Sequence, residues 1–149
     1  MKGLKKMKKL INTAFIYAFA AIACGVFYRE FTKFMDFDGV TTLAFTHLHL
    51  FVLGTVVFLV LGLFSVTTNL LEQKKFKLFF AVYNIGLPLM VGMFFVRGIL
   101  QVLGTPLSTG LNAAVSGVSG ITHIIITIGI ILLFLCLKNV KPNNAPKAK

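Results

Sequence analysis

The stretch TLAFTHLHLFVLGTVVFLVLGLFSV, residues 42–66, decides the fold. It contains no Asp, Glu, Lys or Arg, and about 20 apolar residues in a helix cross the hydrocarbon core of a bilayer. Lipid offers no partner for backbone N–H and C=O groups, so such a run must be helical. Working outward, three more runs of this kind are predicted at residues 10–28, 77–97 and 117–137. The chain has 149 residues, 57% of them hydrophobic, with a mean hydropathy of +0.90. Little is left outside the spans for a soluble domain. The fold expected is all-α, an antiparallel bundle of four transmembrane helices in residues 1–140, followed by a disordered cytoplasmic tail at 141–149.

The net charge of +11 is distributed in a way that fits a membrane protein. Lys2, Lys5, Lys6, Lys8 and Lys9 precede the first span, Lys74, Lys75 and Lys77 lie between the second and third, and Lys138, Lys141, Lys147 and Lys149 follow the fourth. The other two connections carry only Arg29, Lys33 and Arg97. Twelve basic residues against three predict both termini in the cytoplasm of a multi-pass protein of the cell membrane, with its basic segments on anionic headgroups. No groove-reading motif accompanies the charge, so nucleic acid is set aside as a partner. Ala21-Ile22-Ala23-Cys24 resembles a lipoprotein cleavage site, but the apolar run continues through Val26, Phe27 and Tyr28, and an uncleaved first span is expected. Cys24 and Cys136 fall near opposite membrane faces, too far apart for a disulfide, whose Cα atoms lie within about 7 Å.

Within the first span, Ala14, Ala18, Ala21 and Gly25 form a small-residue stripe suited to close helix approach. Pro88, in the third span, predicts a kink. Residues 101–114, less hydrophobic and containing Pro106, read as an outer loop with room for a short interfacial helix.

Every histidine in the chain lies inside a span: His47 and His49 in the second, His123 in the fourth. Ionisable groups at membrane depth are costly and mark a bundle interior, a water path or a cofactor. On the expected topology, His47 and His123 both lie about 8 Å inside the same leaflet. His47 and His49 are separated by about 200° around the helix and face different directions. The His47 face includes Ala44 and Gly54, whereas His49 is flanked by Phe45, Val52, Leu53 and Val56. His123 shares its face with Ser116, Ser119 and Gly120, which leaves a slot for a broad, flat group. A b-type haem with two axial imidazoles suits such a slot, with His47 and His123 as ligands and His49 as substitute for His47. Arg29 and Arg97, at helix ends, would meet the propionates through their planar forks or else serve as interfacial anchors.

Phe45-Thr46-His47-Leu48-His49-Leu50, followed by Gly54, resembles the second-helix histidine motif of haem–copper oxidase subunit I and its nitric-oxide-reductase relatives. That resemblance implies a low-spin haem ligand at His47, with His123 as partner by position. The chain has no His-His pair for a copper centre and no crosslinked-tyrosine motif, so oxygen reduction is not implied. Over nearly its whole length the sequence also resembles a family of small uncharacterised bacterial four-helix membrane proteins, through Gly25-Val26-Phe27-Tyr28-Arg29-Glu30-Phe31, Tyr83-Asn84-Ile85-Gly86 and Val96-Arg97-Gly98-Ile99-Leu100-Gln101.

The expected function is therefore electron transfer by a membrane cytochrome, exchanging electrons with quinol or a respiratory partner protein, as a monomer or a homodimer. The alternatives are a copper site using His47, His49 and His123, and an accessory or assembly subunit whose histidines only pack. Glu30, Asp36, Asp38 and Glu72 all lie in loops or at helix ends, and no phosphate loop, zinc-protease helix or nucleophile elbow is present, so hydrolase and kinase chemistry are not expected.

Overall fold

The computed structural model describes residues 2–143, with side chains from residue 7 onward. Its helices are α1 (Lys2–Phe34), α2 (Leu43–His49), α3 (Val57–Thr67), α4 (Lys74–Val102) and α5 (Thr109–Leu137). A π-helical stretch, Leu50–Val56, joins α2 to α3, making one continuous second span, and a single 3-10 turn, Leu70–Glu72, leads into α4. Among the described residues, four helical segments are thus long and apolar enough to cross a membrane.

The helices outrun the hydrophobic runs at several ends. The first continues beyond residue 28 to Phe34 and stops where Asp36 turns left-handed (φ 51°). Residues 109–114, expected in a loop, form the first turns of α5. The reason is a cap: Ser108 Oγ accepts from the Leu111 N–H at 3.3 Å, and its carbonyl accepts from the Asn112 N–H at 2.9 Å. Gly104, with φ 59°, ends the preceding helix, which leaves only a short connection. Helix α4 runs uninterrupted through the exposed Pro88.

Contacts fix how the helices pair. Cβ atoms on Gly62, Gly54 and Gly25 would meet Ile11, Tyr17 and His47 respectively, so α1 and the second span run antiparallel along a small-residue seam. Ala14 and Ala21 of that seam are fully buried. The third span is antiparallel to the fourth, with Gly86 against Ile125 and Ile126 and Gly129 against Tyr83. The start of α2 is held to α4 by Thr41 Oγ1, which donates to the Gly98 carbonyl at 3.0 Å, and Thr42 Oγ1, which donates to that of Phe94 at 2.8 Å. Leu43 fills the space above Gly98. Helix α5 has α4 as its main neighbour and leaves Ile121, Ile124, Ile128 and Ile131 bare, as a lipid-facing surface requires.

An aromatic core of Tyr17, Phe58, Phe79 and Tyr83 occupies the centre. From it, the Tyr17 hydroxyl donates to Asn84 Oδ1 at 2.9 Å and the Tyr83 hydroxyl to the Leu53 carbonyl at 2.9 Å. The second bond reaches into the π stretch, where the widened turn loosens the ordinary helical ladder. Lys9, Lys77 and Lys141 collect at one end of the molecule, as Lys9 over Phe80 and Lys141 N–H on Asn69 Oδ1 show. There the chain after α5 is tied down: Asn69 N–H donates to the Lys141 carbonyl (3.0 Å), and Asn143 donates to the carbonyls of Thr67 (2.9 Å) and Val66 (2.7 Å). The part of the expected disordered tail beyond residue 143 lies outside the described residues.

Candidate functional site

The three histidines divide between two surfaces. His49 closes α2 and directs its half-buried ring towards α4, where it meets Phe94 at a centroid distance of 4.8 Å. His123, exposed on α5, meets the same Phe94 edge-on at 5.7 Å. One ring of the third span therefore contacts an imidazole from the second and one from the fourth. His47 faces the other way. It stacks on Tyr28 of α1 at 6.5 Å, with its Cβ and Cγ 3.7 Å from where a Cβ on Gly25 would stand.

Hydrogen bonding separates the three further. His49 Nδ1 lies 2.8 Å from the Phe45 carbonyl, and His123 Nδ1 lies 2.8 Å from the Ser119 carbonyl. A carbonyl can only accept, so in both rings Nδ1 carries the proton and, in the neutral form, Nε2 keeps its lone pair. Anchoring of this kind fixes tautomer and ring orientation in metal-binding histidines. The equivalent carbonyl one turn before His47 is that of Leu43, which takes the Thr46 hydroxyl at 2.7 Å. His47 Nδ1 is buried and has no hydrogen-bond partner.

The remaining candidate residues fall on both sides of this division. Gly54 lies under the ring of Tyr17, so its missing side chain serves helix packing against α1. Gly120 borders open space beside His123. Ser116, two turns before His123, accepts from Arg97 Nη2 at 2.6 Å, and Asn112 Oδ1 accepts from the same nitrogen at 3.3 Å. Arg97 follows Phe94 by three residues and is thereby held towards the histidine-bearing α5. Arg29 is exposed, with Glu30 at 3.9 Å. The arrangement brings His49 and His123 onto Phe94, with Arg97 tied to Ser116 on the α5 that bears His123 and Gly120, and leaves His47, Gly54 and Arg29 on the α1 side. Among the described residues no three His, Cys, Asp or Glu side chains gather as a metal-binding cluster, so the three imidazoles do not converge.

Phe94 was not singled out from the sequence. It lies in a run of apolar residues, and only its i, i+3 relation to Arg97 sets it apart.

Four membrane-length apolar helices packed around a buried aromatic core define a multi-pass helical membrane protein. The chain belongs to the family described as protein of unknown function DUF2871, whose pattern it matches over residues 7–140. No curated protein and no solved structure matches it, and neither comparison supports the likeness of its second span to the haem–copper oxidase helix.

Proposed function

We propose that this protein is a membrane redox carrier that holds a b-type haem between His49 and His123. The observation that carries the reading is the pair of imidazoles on Phe94, each with Nδ1 anchored to its own helix and Nε2 left as a ligand nitrogen. The donor set fits the group: two neutral imidazoles on different helices are what bis-histidine ligation needs, and Gly120 leaves the adjoining surface open. Phe94, in contact with both rings, has to turn aside to admit a flat macrocycle. Arg97, already braced by Ser116 and Asn112, supplies a guanidinium for a carboxylate. When bound, a haem ligated in this way carries one electron and keeps no open coordination position, which favours electron transfer over oxygen chemistry. The role of the chain's own residues is to present the two lone pairs and hold their tautomers.

Spectral titration of the detergent-purified protein with haem tests this reading. Saturation at one haem per chain, abolished in His49→Ala and in His123→Ala, is the expected result. Unchanged binding in both variants would overturn the assignment, and metal analysis of the purified protein would then distinguish a copper site from histidines that only pack.

A further inference from the structure

At the lysine-rich end, away from the histidines, α1, the turn before α4 and the first turns of α4 enclose a cavity of about 220 Å³. Leu10, Leu71, Phe76 and Phe80 provide an apolar lining, and Lys9 and Lys77 stand at it from two different helices. The Lys9 ammonium is 4.2 Å from the centre of the Phe80 ring, so this exposed side chain lies along the wall of the cavity. Among the described residues no carboxylate lines the cavity. Two cations above a greasy recess at the end of a membrane helix bundle match an amphiphile with a negative head and an acyl tail. A purely apolar ligand would leave the lysines unused, and a free inorganic anion would leave the apolar lining unused.

We infer that this cavity is a binding site for an anionic phospholipid, with the phosphate paired to Lys9 and Lys77 and the upper acyl chain lying on Leu71, Phe76 and Phe80. The site is independent of the haem reading and stands if that reading fails. Basic residues near an anionic headgroup contribute about 1 kcal/mol each, which corresponds to roughly fivefold in affinity per lysine and about thirtyfold for the pair.

Native mass spectrometry of the full chain in mild detergent provides the test, with dioleoyl phosphatidylglycerol titrated against dioleoyl phosphatidylcholine. The expected result is saturable retention of one phosphatidylglycerol, weakened about thirtyfold in the Lys9→Gln/Lys77→Gln double variant. Retention should be unchanged in Lys138→Gln/Lys141→Gln, which removes equal charge from the same end outside the cavity. Leu71→Trp, which fills the recess and keeps both lysines, should also abolish retention, and it keeps the test decisive if the double lysine variant fails to fold. Equal retention of the two lipids would overturn the proposal. So would an equal loss in the two lysine pairs, which indicates a general surface field, or displacement of the lipid by millimolar inorganic phosphate, which indicates a free-anion site.

Discussion

Replacing Gly54 by alanine isolates the contact that sets the distance between α1 and the second span. A Cβ at this position would stand 2.5 Å from Tyr17 Cγ, 2.7 Å from its Cβ and 2.8 Å from its Cδ1. Rotation of the ring cannot relieve the clash, because Tyr17 Cβ moves only with its backbone. Helix α1 must therefore shift, and overpacking of this kind costs about 1–3 kcal/mol. The shift also strains the Tyr17 hydroxyl bond to Asn84, 2.9 Å long, worth about 1 kcal/mol more. Gly120 provides the contrast, since nothing lies within 4 Å of the Cβ it would acquire. Helices largely persist in denaturing detergent, so the propensity gain of alanine over glycine cancels in part, and Gly120→Ala should be neutral or stabilising by up to about 1 kcal/mol. Equilibrium unfolding in mixed micelles, followed by tyrosine fluorescence, should give a loss of about 2–4 kcal/mol for Gly54→Ala. In a Tyr17→Gly background, which removes the Cβ as well as the ring, that loss should fall below about 1 kcal/mol, because the two substitutions share one contact. Equal stabilities for Gly54→Ala and Gly120→Ala, or an undiminished cost in the Tyr17→Gly background, would refute the packing argument.

Tyr83→Phe removes the donor to the Leu53 carbonyl in the π stretch, and the same assay should register a loss of about 0.6–1.7 kcal/mol, the range of interhelical hydrogen bonds in membranes. Asn69→Ala deletes the acceptor of both the Lys141 N–H (2.8 Å) and Gln73 Nε2 (3.2 Å). With about 1 kcal/mol lost from the strap that holds the chain after α5, trypsin should cut after Lys138 about five times faster. Because the lysines gather at one end, a fluorescent protein fused after Lys149 should fold in the cytoplasm, and alkaline phosphatase inserted after Gly104 should be active outside it. The reverse pattern would contradict the charge-based orientation.

The sequence makes the four spans legible because lipid demands long uncharged runs, and it makes the α1 seam legible because Ala14, Ala21 and Gly25 recur at helical spacing. Helix ends were less legible, since they depend on caps: Ser108 and the left-handed Gly104 move the boundary of α5 by several residues. The division of the histidines was only half visible. Angular spacing sends His47 and His49 in different directions, as they lie in the structure, but the small neighbours of His47, Ala44 and Gly54, read as room for a flat group, and the space at Gly54 is taken by Tyr17. What comes close is helix α1, through Tyr17, Gly25 and Tyr28, whereas α5 bears His123 on α4. Which helix meets which face is a tertiary choice that one strand of sequence does not contain. The crowded neighbours of His49 on its own helix carry no sign of Phe94, the ring it meets, for the same reason: Phe94 comes from another span. The π stretch had no local signal at all; within it the Leu53 carbonyl accepts from Tyr83 of α4, another span.

The central claim is that His49 and His123, and not His47, hold a redox group. A reduced-minus-oxidised visible spectrum of membranes expressing the chain with ample haem tests it most directly, on the native protein and on His47→Ala, His49→Ala and His123→Ala. Sharp reduced α and Soret bands that persist in His47→Ala and vanish in the other two variants are the predicted result. A featureless spectrum from well-folded protein, or bands lost with His47 and retained without His49, would contradict the account.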